Sequence, residues 1–137
     1  MPSALAGRAV LLTRGAADDA PLLRTLRARG ALALSLACVR IEPCADPEQL
    51  RAGLRALTGD DWVVLTSRAA ADAVAGAAPD LRARVAAVGP ATAERASVRG
   101  LMVSFVPSRA TGADLARELP LTGGVALLAR ADRALPD

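Results

Sequence analysis

The chain has 137 residues, 53% of them hydrophobic, which is enough apolar material for one ordinary folded domain and argues against a disordered segment. The net charge of +3 is spread along the sequence without a basic block, and one Trp and one Phe cannot form a base-stacking platform, so no nucleic-acid partner is expected. Histidine and lysine are absent and every basic side chain is arginine, so an anionic small molecule remains a compatible ligand.

Membrane insertion, secretion and metal binding find no support in the sequence. The apolar runs are far shorter than a membrane span, and the N-terminal MPSALAGRAVLLTR lacks the features of a signal peptide, so we expect a soluble cytoplasmic protein with no membrane partner. Cys38 and Cys44 have five residues between them and no histidine nearby. We therefore expect two free thiols, with neither a structural metal nor a disulfide.

The first part of the chain predicts a strand, a helix and a second strand. Residues 8–13 form a short apolar run. Asp19 is suited to the N-cap and Pro21 to the first turn of a helix that Gly30 ends. Residues 31–36 are the second strand candidate, so a β-α-β unit is expected here.

An extended connection and a second helical segment come next. Apolar and charged residues alternate over residues 39–42, which is typical of an extended connection rather than of a buried strand. Asp46, Pro47 and Gln49 then have the spacing of an N-cap, a first-turn proline and a capping box. Leucines follow at the spacing of one helix face: Leu50, Leu54 and Leu57. We expect Gly59 to end this helix.

The remainder of the chain repeats one unit, made of an apolar run, a turn rich in Ser, Thr, Gly or Pro, and a helical segment. The predicted strands are residues 62–65, 85–88, 101–106 and 125–128. The helices that follow the first three strands end near residues 78, 97 and 119, and Thr111 with Asp114 is suited to cap the last of them. Such regular alternation predicts an α/β protein with a parallel, doubly wound sheet.

The last residues of the chain, RADRALPD, are typical of the loop after a strand and the start of a further helix. A last strand without a covering helix leaves one face of a parallel sheet exposed. We therefore expect a truncated chain, and the alternative is a frayed natural terminus.

Polar residues recur at the predicted carboxyl ends of the strands, where parallel α/β sheets bind ligands and helix N-termini present free N–H groups. Five turns lie there: Thr13-Arg14-Gly15, Thr66-Ser67-Arg68, Gly89-Pro90-Ala91-Thr92, Pro107-Ser108-Arg109 and Arg130-Ala131-Asp132. Four of the five carry a hydroxyl and several carry an arginine. The chemistry they share is hydrogen-bond donation to anions, either carboxylates or phosphates.

Each of these residues also has a purely structural interpretation. Ser67, Thr92 and Thr111 are of the types that cap helices, and the arginines are of a type that is usually solvated at the surface. Trp62, at the start of a strand, is expected in the core rather than as a stacking platform. Only the recurrence of donors along one predicted edge favours a functional interpretation.

Other familiar sites lack the residues that they need. Neither G-x-G-x-x-G nor G-x-x-x-x-G-K-[ST] follows a strand, which argues against dinucleotide and P-loop nucleotide binding. A phosphoryl-accepting receiver domain needs a lysine, flavin binding calls for aromatic residues, and a nucleophile–base pair has no obvious members without histidine. We therefore expect chemistry that relies on binding and orientation.

Six segments in order carry a resemblance to a known family. They are LAGRAVLLTR, RARGALALSLACVRIEP, DDWVVLTSRAAADAV, VAAVGPATAERASVRG, FVPSRATGADLAREL and GGVALLARADRALPD. In this order and spacing, the chain resembles the first half of uroporphyrinogen-III synthase. The resemblance implies two α/β domains of flavodoxin-like type, joined by two crossing segments.

The same resemblance implies how the chain divides between those domains. Residues 1–37 correspond to a β-α-β piece of domain one, whose remainder is missing. Residues 38–137 correspond to most of domain two without its last helix and strand, and residues 39–43 to the first crossing segment. The family's tyrosine-bearing strand falls in the missing part, and this chain contains no tyrosine.

The activity implied by the resemblance is the cofactor-free cyclisation of hydroxymethylbilane, a linear tetrapyrrole with eight carboxylates, in haem biosynthesis. Water is lost, and the macrocycle closes with inversion of the last pyrrole ring to give uroporphyrinogen III. The parent protein is then a monomeric hydro-lyase, and this chain alone is expected to be inactive. The alternative left open is a non-catalytic α/β domain that binds an anionic metabolite or a protein partner through the same edge.

The resemblance also implies a set of substrate-binding residues, none of them with a catalytic role. They are Arg14, Thr66, Ser67, Arg68, Gly89, Thr92, Ala93 and Ser108. The family's T-S turn and G-x-x-T-A turn supply most of these positions. The chain departs from the family pattern at Gly15 and Cys38, which replace prolines, and at Ala69, which stands where a polar residue is common.

Overall fold

A computed structural model describes residues 4–13 and 19–130, and the chain divides into two compact units on either side of the Glu42–Pro43 bond. Six strands and five helices alternate along the described residues. They are β1 (Ala9–Leu12), α1 (Ala20–Ala28), β2 (Leu32–Ser35), α2 (Pro47–Arg55), β3 (Trp62–Leu65), α3 (Arg68–Ala77), β4 (Arg84–Ala87), α4 (Pro90–Val98), β5 (Val103–Phe105), α5 (Gly112–Glu118) and β6 (Ala126–Ala129).

The first unit is the predicted β-α-β unit. Strands β1 and β2 pair in parallel, with Ala9 opposite Leu32 at the start of the register. Helix α1 packs against β2, and Ala33 is buried, while its neighbours Leu32 and Leu34 are more than half exposed. Because successive residues of a strand face opposite sides, one face of this two-stranded sheet is covered and the other is exposed.

The start of α1 differs from the prediction in one respect. Pro21 lies in the first turn and Gly30, with φ +82°, follows the end of the helix as expected. Asp19 occupies the N-cap position, but the prediction that it caps the helix was wrong, because its side chain makes no capping hydrogen bond. Its backbone is helical rather than extended, and its buried carboxylate instead accepts a hydrogen bond from the Ser35 hydroxyl at the end of β2.

The segment between the two units has neither helix nor strand over residues 36–46, as the alternation in the sequence predicted. Val39 and Ile41 are 59% and 72% exposed, which fits an extended connection rather than a buried strand. Cys38 and Cys44 lie in this segment as exposed free thiols.

Helix α2 begins as predicted and ends earlier than predicted. The Asp46 carboxylate accepts a hydrogen bond from the Gln49 N–H at 2.9 Å. The expectation that Gly59 ends the helix was wrong, since α2 stops at Arg55. The physical reason lies in the next loop, where the Thr58 N–H and hydroxyl both donate to the Asp61 carboxylate, at 2.6 and 2.8 Å, instead of continuing the helix.

The sheet of the second unit is fully parallel and has the order β5-β4-β3-β6. The chain therefore moves in one direction from β3 through β4 to β5 and then returns to the other side of β3. This reversal is the mark of a doubly wound sheet, and it confirms the predicted α/β class. Strand β5 is shorter than the predicted 101–106, because its pairing with β4 is irregular between Val85 and Ala86.

Both faces of this sheet carry apolar clusters. The larger cluster lies on the side of Val63, Leu65 and Val85, together with buried residues of α2, α3 and α4. The smaller cluster joins Trp62 with Leu115 of α5. The alternation of strand residues thus places α5 on the face opposite to α3 and α4.

Trp62 belongs to the core, as predicted, and is 2% exposed. Its ring meets that of Phe105 edge to face, with the centroids 6.3 Å apart and the planes at 81°. The Arg84 guanidinium lies 4.6 Å from the centre of the Trp62 ring, within cation–π distance. These contacts leave the indole no role as a stacking surface for a ligand.

Among the described residues, no helix is both long enough and apolar enough to cross a membrane.

Candidate functional site

The candidate site is the carboxyl edge of the second unit's sheet, which we define as the residues that follow β3, β4, β5 and β6. Because the four strands are parallel, all of these residues lie at one edge. The direction of winding reverses at β3, so the crevice between the ends of β3 and β6 is where doubly wound sheets bind ligands. Arg14, predicted to belong to the site, lies outside the described residues.

The T-S turn lies directly at this crevice. Thr66 follows β3 and is exposed, and its hydroxyl donates to the Ala129 carbonyl at the end of β6 over a long 3.4 Å. Ser67 caps α3, since its hydroxyl oxygen accepts a hydrogen bond from the Ala70 N–H at 3.1 Å. The capping role predicted as the alternative for Ser67 is therefore confirmed. Its hydroxyl proton is not used by this bond and can still be donated to a ligand.

Arg68 is the first residue of α3, and its side chain is exposed at the same turn. The first turn of a helix leaves N–H groups without intrahelical partners, and these N–H groups favour an anion. The start of α3 thus combines an exposed threonine hydroxyl, a serine hydroxyl and a guanidinium.

Gly89 is tightly packed rather than open to a ligand. It is the N-cap of α4, with an extended backbone at φ −170°, and Pro90 is the first helical residue. A Cβ added at Gly89 would lie 2.7 Å from the Ala110 Cβ. Glycine is therefore needed here because the loop after β5 packs directly against this turn.

The other two residues predicted from the G-x-x-T-A turn have few free polar groups. Thr92 is only 6% exposed, in the first turn of α4. The N–H of Ala93 bonds to the Gly89 carbonyl at 3.0 Å, so it belongs to the helix. Of the predicted turns, the T-S turn is thus the more accessible to a ligand.

The donors of Ser108 already hold a carboxylate of the same chain. The Ser108 N–H donates to Oε2 of Glu118 and its hydroxyl donates to Oε1 of the same residue, each at 2.7 Å. The hydrogen bond from the Ser108 N–H, followed by the one from its hydroxyl, lowers the pKa of Glu118 below its ordinary value. Ser108 is therefore placed as a carboxylate receptor, and Glu118 fills it.

The rest of the same loop is fastened by a second carboxylate, Asp114. Its carboxylate is 2% exposed, accepts a hydrogen bond from the Thr111 hydroxyl at 2.6 Å, and is paired with Arg109 at 3.0 Å and with Arg117. The Thr111 hydroxyl, and then Arg109, hold the pKa of Asp114 below its ordinary value. Thr111 caps α5 as predicted, since its hydroxyl oxygen also accepts from the Asp114 N–H at 3.1 Å.

Glu118 and Ala110 are site residues that the sequence reasoning missed. Asp114 and Glu118 are four residues apart on α5, a spacing that places two side chains on one helix face. That spacing was a usable sign that both carboxylates face the same loop. No comparable sign exists for Ala110, whose contact with Gly89 arises only from the fold.

The described part of the carboxyl edge is suited to binding anions. Among the described residues, no group of three His, Cys, Asp or Glu side chains could hold a metal ion. The accessible groups are hydroxyls, guanidiniums and helix N-terminal N–H groups, which bind carboxylates and phosphates.

Comparison with known proteins identifies the family of the chain. The family model described as uroporphyrinogen-III synthase HemD matches residues 20–137. A curated relative, the uroporphyrinogen-III synthase of Synechococcus elongatus, is 27% identical over 123 residues, which cover 85% of this chain and 47% of the relative. The chain thus spans about half the length of that relative. Since the family model covers most of the chain, the chain belongs to the uroporphyrinogen-III synthase HemD family.

Proposed function

We propose that this chain is part of an enzyme that cyclises hydroxymethylbilane, with inversion of the last pyrrole ring, to uroporphyrinogen III and water. Two observations support the proposal: membership of the family, and the set of anion donors at the switch point of the sheet. The set of anion donors is the observation that supports this substrate, because a molecule with eight carboxylates is bound by hydrogen-bond donors and cations. No observation favours the alternative of a non-catalytic binding domain.

The residues of the carboxyl edge are proposed to bind and orient the substrate without a cofactor. Substrate carboxylates are held by the hydroxyls of Thr66 and Ser67, by the Arg68 guanidinium and by first-turn N–H groups of α3 other than that of Ala70, which bonds to Ser67. Holding a flexible chain with its two ends close together lowers the entropic part of the barrier to ring closure. In the reaction, the terminal hydroxyl takes up a proton and leaves as water, which gives an azafulvene, and the last pyrrole attacks the azafulvene carbon through its own substituted carbon. The resulting spiro intermediate rearranges so that this ring is inverted. The elimination of water is the step that makes the enzyme a hydro-lyase.

We further propose that residues 1–37 belong to a domain that is completed by residues outside this chain. The two-stranded sheet of β1 and β2 supports this proposal, because Leu11, Leu32 and Leu34 are more than half exposed and two strands are rarely stable alone. Residues 38–137 are then most of the second domain. We place the complete protein in the cytoplasm as a monomer, and we expect the 137-residue chain to be inactive by itself.

The test is an isomer assay with hydroxymethylbilane. A longer protein, in which this chain is joined to the second half that its relatives have, is expected to yield the type III isomer. The 137-residue chain alone is expected to yield mainly type I, the product of spontaneous closure. Type I alone from the longer protein would contradict the proposed function, and abundant type III from the short chain would contradict its inactivity.

A matched pair of variants of the longer protein tests the site. Thr66→Val removes the exposed hydroxyl at the switch point, and the expected loss in kcat/KM is about tenfold, the size of one hydrogen bond to a charged group. Thr122→Val makes the same change at an exposed threonine before β6, at the opposite edge of the sheet, and should leave kcat/KM unchanged. Equal effects of the two changes would remove Thr66 from the proposed site.

A further inference from the structure

The contact between Ser108 and Glu118 has the geometry of a bound ligand. Two donors of one residue, the N–H and the hydroxyl of Ser108, each reach a different oxygen of one carboxylate at 2.7 Å. Hydrogen bonds to an ionised carboxylate are short and roughly twice as strong as those between neutral groups, so a pair of donors aimed at its two oxygens is suited to bind a carboxylate group. The occupant here is a side chain at the end of α5, ten residues further along the chain.

The receptor loop does not depend on Glu118 for its shape. Arg109 and Thr111 are both bonded to Asp114, which is a separate carboxylate on α5. Ala110 packs against Gly89, the turn at the end of β4. These three contacts hold the residues that directly follow Ser108, and β5, which pairs with β4, ends three residues before it at Phe105. The Ser108 donors are therefore expected to keep their positions when Glu118 leaves.

The Glu118 side chain can leave this contact towards solvent, and a cation is available to it there. Its side chain is 28% exposed, so it can turn towards solvent without first opening the core. The Arg117 guanidinium lies 3.3 Å from Oε1 of Glu118, and this neighbouring cation remains available to a displaced carboxylate. The cost of displacement is therefore the exchange of one carboxylate for another at the same two donors.

We propose that the Ser108 turn is a subsite for a substrate carboxylate, that Glu118 is its resident occupant, and that the substrate enters by displacing Glu118. The identity of the natural ligand as a tetrapyrrole carboxylate rests on the proposed function. The existence of the subsite does not rest on the proposed function, since any small carboxylate offers the same two oxygens. Glu118 then sets how strongly a carboxylate must bind in order to occupy this position.

Propionate is the probe, and NMR of the 137-residue chain is the readout. In Glu118→Ala, the Ser108 amide signal is expected to shift saturably with propionate and not with propionamide, which has the same size and no charge. The wild-type chain should need about tenfold more propionate for half-saturation, which corresponds to a tethered Glu118 carboxylate that competes for the same two donors at an effective concentration about tenfold above the propionate Kd of the variant. Glu94→Ala removes an exposed carboxylate from α4 and should behave as the wild type does.

A second measurement follows the displaced group in the wild-type chain and does not depend on a variant. The 13C signal of the Glu118 carboxyl should move in parallel with the Ser108 amide as propionate is added. The proposal fails if the Ser108 amide of Glu118→Ala does not respond, if wild type and variant half-saturate alike, or if the Glu118 signal stays fixed while Ser108 saturates. Propionate binding without any type III product from the longer protein would reject the proposed function and keep the subsite.

Discussion

The contact between Gly89 and Ala110 predicts a specific pattern of destabilisation and rescue. In Gly89→Ala, the new Cβ would lie 2.7 Å from the Ala110 Cβ, about 0.7 Å short of the 3.4 Å at which ordinary contacts begin. The backbone at Gly89 is extended, so alanine is not strained there and the clash alone sets the cost. Overpacking of this kind costs about 1–3 kcal/mol of unfolding free energy. Ala110→Gly removes the clashing atom and should restore most of that loss in the double variant.

The assay is urea unfolding followed by the fluorescence of Trp62, the single tryptophan, which is buried in β3. The double-mutant cycle should give a coupling energy of about 1–3 kcal/mol in the direction of rescue. Gly76→Ala is the control, because nothing lies within 4 Å of its added Cβ and alanine in a helix should stabilise by about 0.5–1 kcal/mol. A coupling energy below about 0.5 kcal/mol would refute the reasoning, because neighbours in contact exceed it.

Three further predictions concern the core, a helix cap and acid stability. Leu65→Ala removes a fully buried side chain and should cost about 2–5 kcal/mol of unfolding free energy, whereas Val98→Ala, at a 73% exposed position, should change it by less than about 0.5 kcal/mol. Asp46→Ala should cost about 1 kcal/mol through loss of the α2 cap, and Asp46→Asn should retain most of the stability; equal losses in urea unfolding would contradict the capping role. The pKa values of Asp114 and Glu118 are lowered in the folded state, so both carboxylates stabilise the fold above their unfolded pKa, and this contribution is lost as the pH falls through their folded pKa. The urea concentration at the midpoint of unfolding should therefore decrease as the pH is lowered below about 4, and it should decrease less in Asp114→Asn. Identical pH profiles of the two chains would contradict this.

The fold could be predicted from the sequence to the extent that local signals determine it. Apolar runs alternate with capped helical segments, and this pattern alone predicts a parallel α/β sheet. Pro47 and Ser67 mark helix starts correctly, because a first-turn proline and an N-cap hydroxyl act on neighbouring residues. The end of α2 was predicted less well, since this helix stops before the loop in which Thr58 bonds to Asp61, an interaction of two loop side chains.

The sequence predicts which turns lie at the carboxyl edge, but it does not predict which of them have polar groups open to a ligand. Parallel strands place the T-S turn and the Gly89 turn at one edge of the sheet whatever the packing is. Whether Ser108 offers free donors depends on Glu118, and whether Gly89 is open depends on Ala110. Both facts arise from contacts between different elements, which hydrophobic periodicity and turn motifs do not encode.

The position of β6 next to β3 determines the order in which the sheet can form. Strands β3, β4 and β5 are joined by short βα units, whereas Val125, just before β6, is separated by 64 residues from its partner Asp61. Contacts between residues so far apart in sequence form late and slow the folding of a domain. Asp61 already accepts hydrogen bonds from Thr58, within its own loop, and so presents a preformed acceptor to the Val125 N–H at 2.7 Å. Among the described strands, we therefore expect the pairing of β6 with β3 to form last.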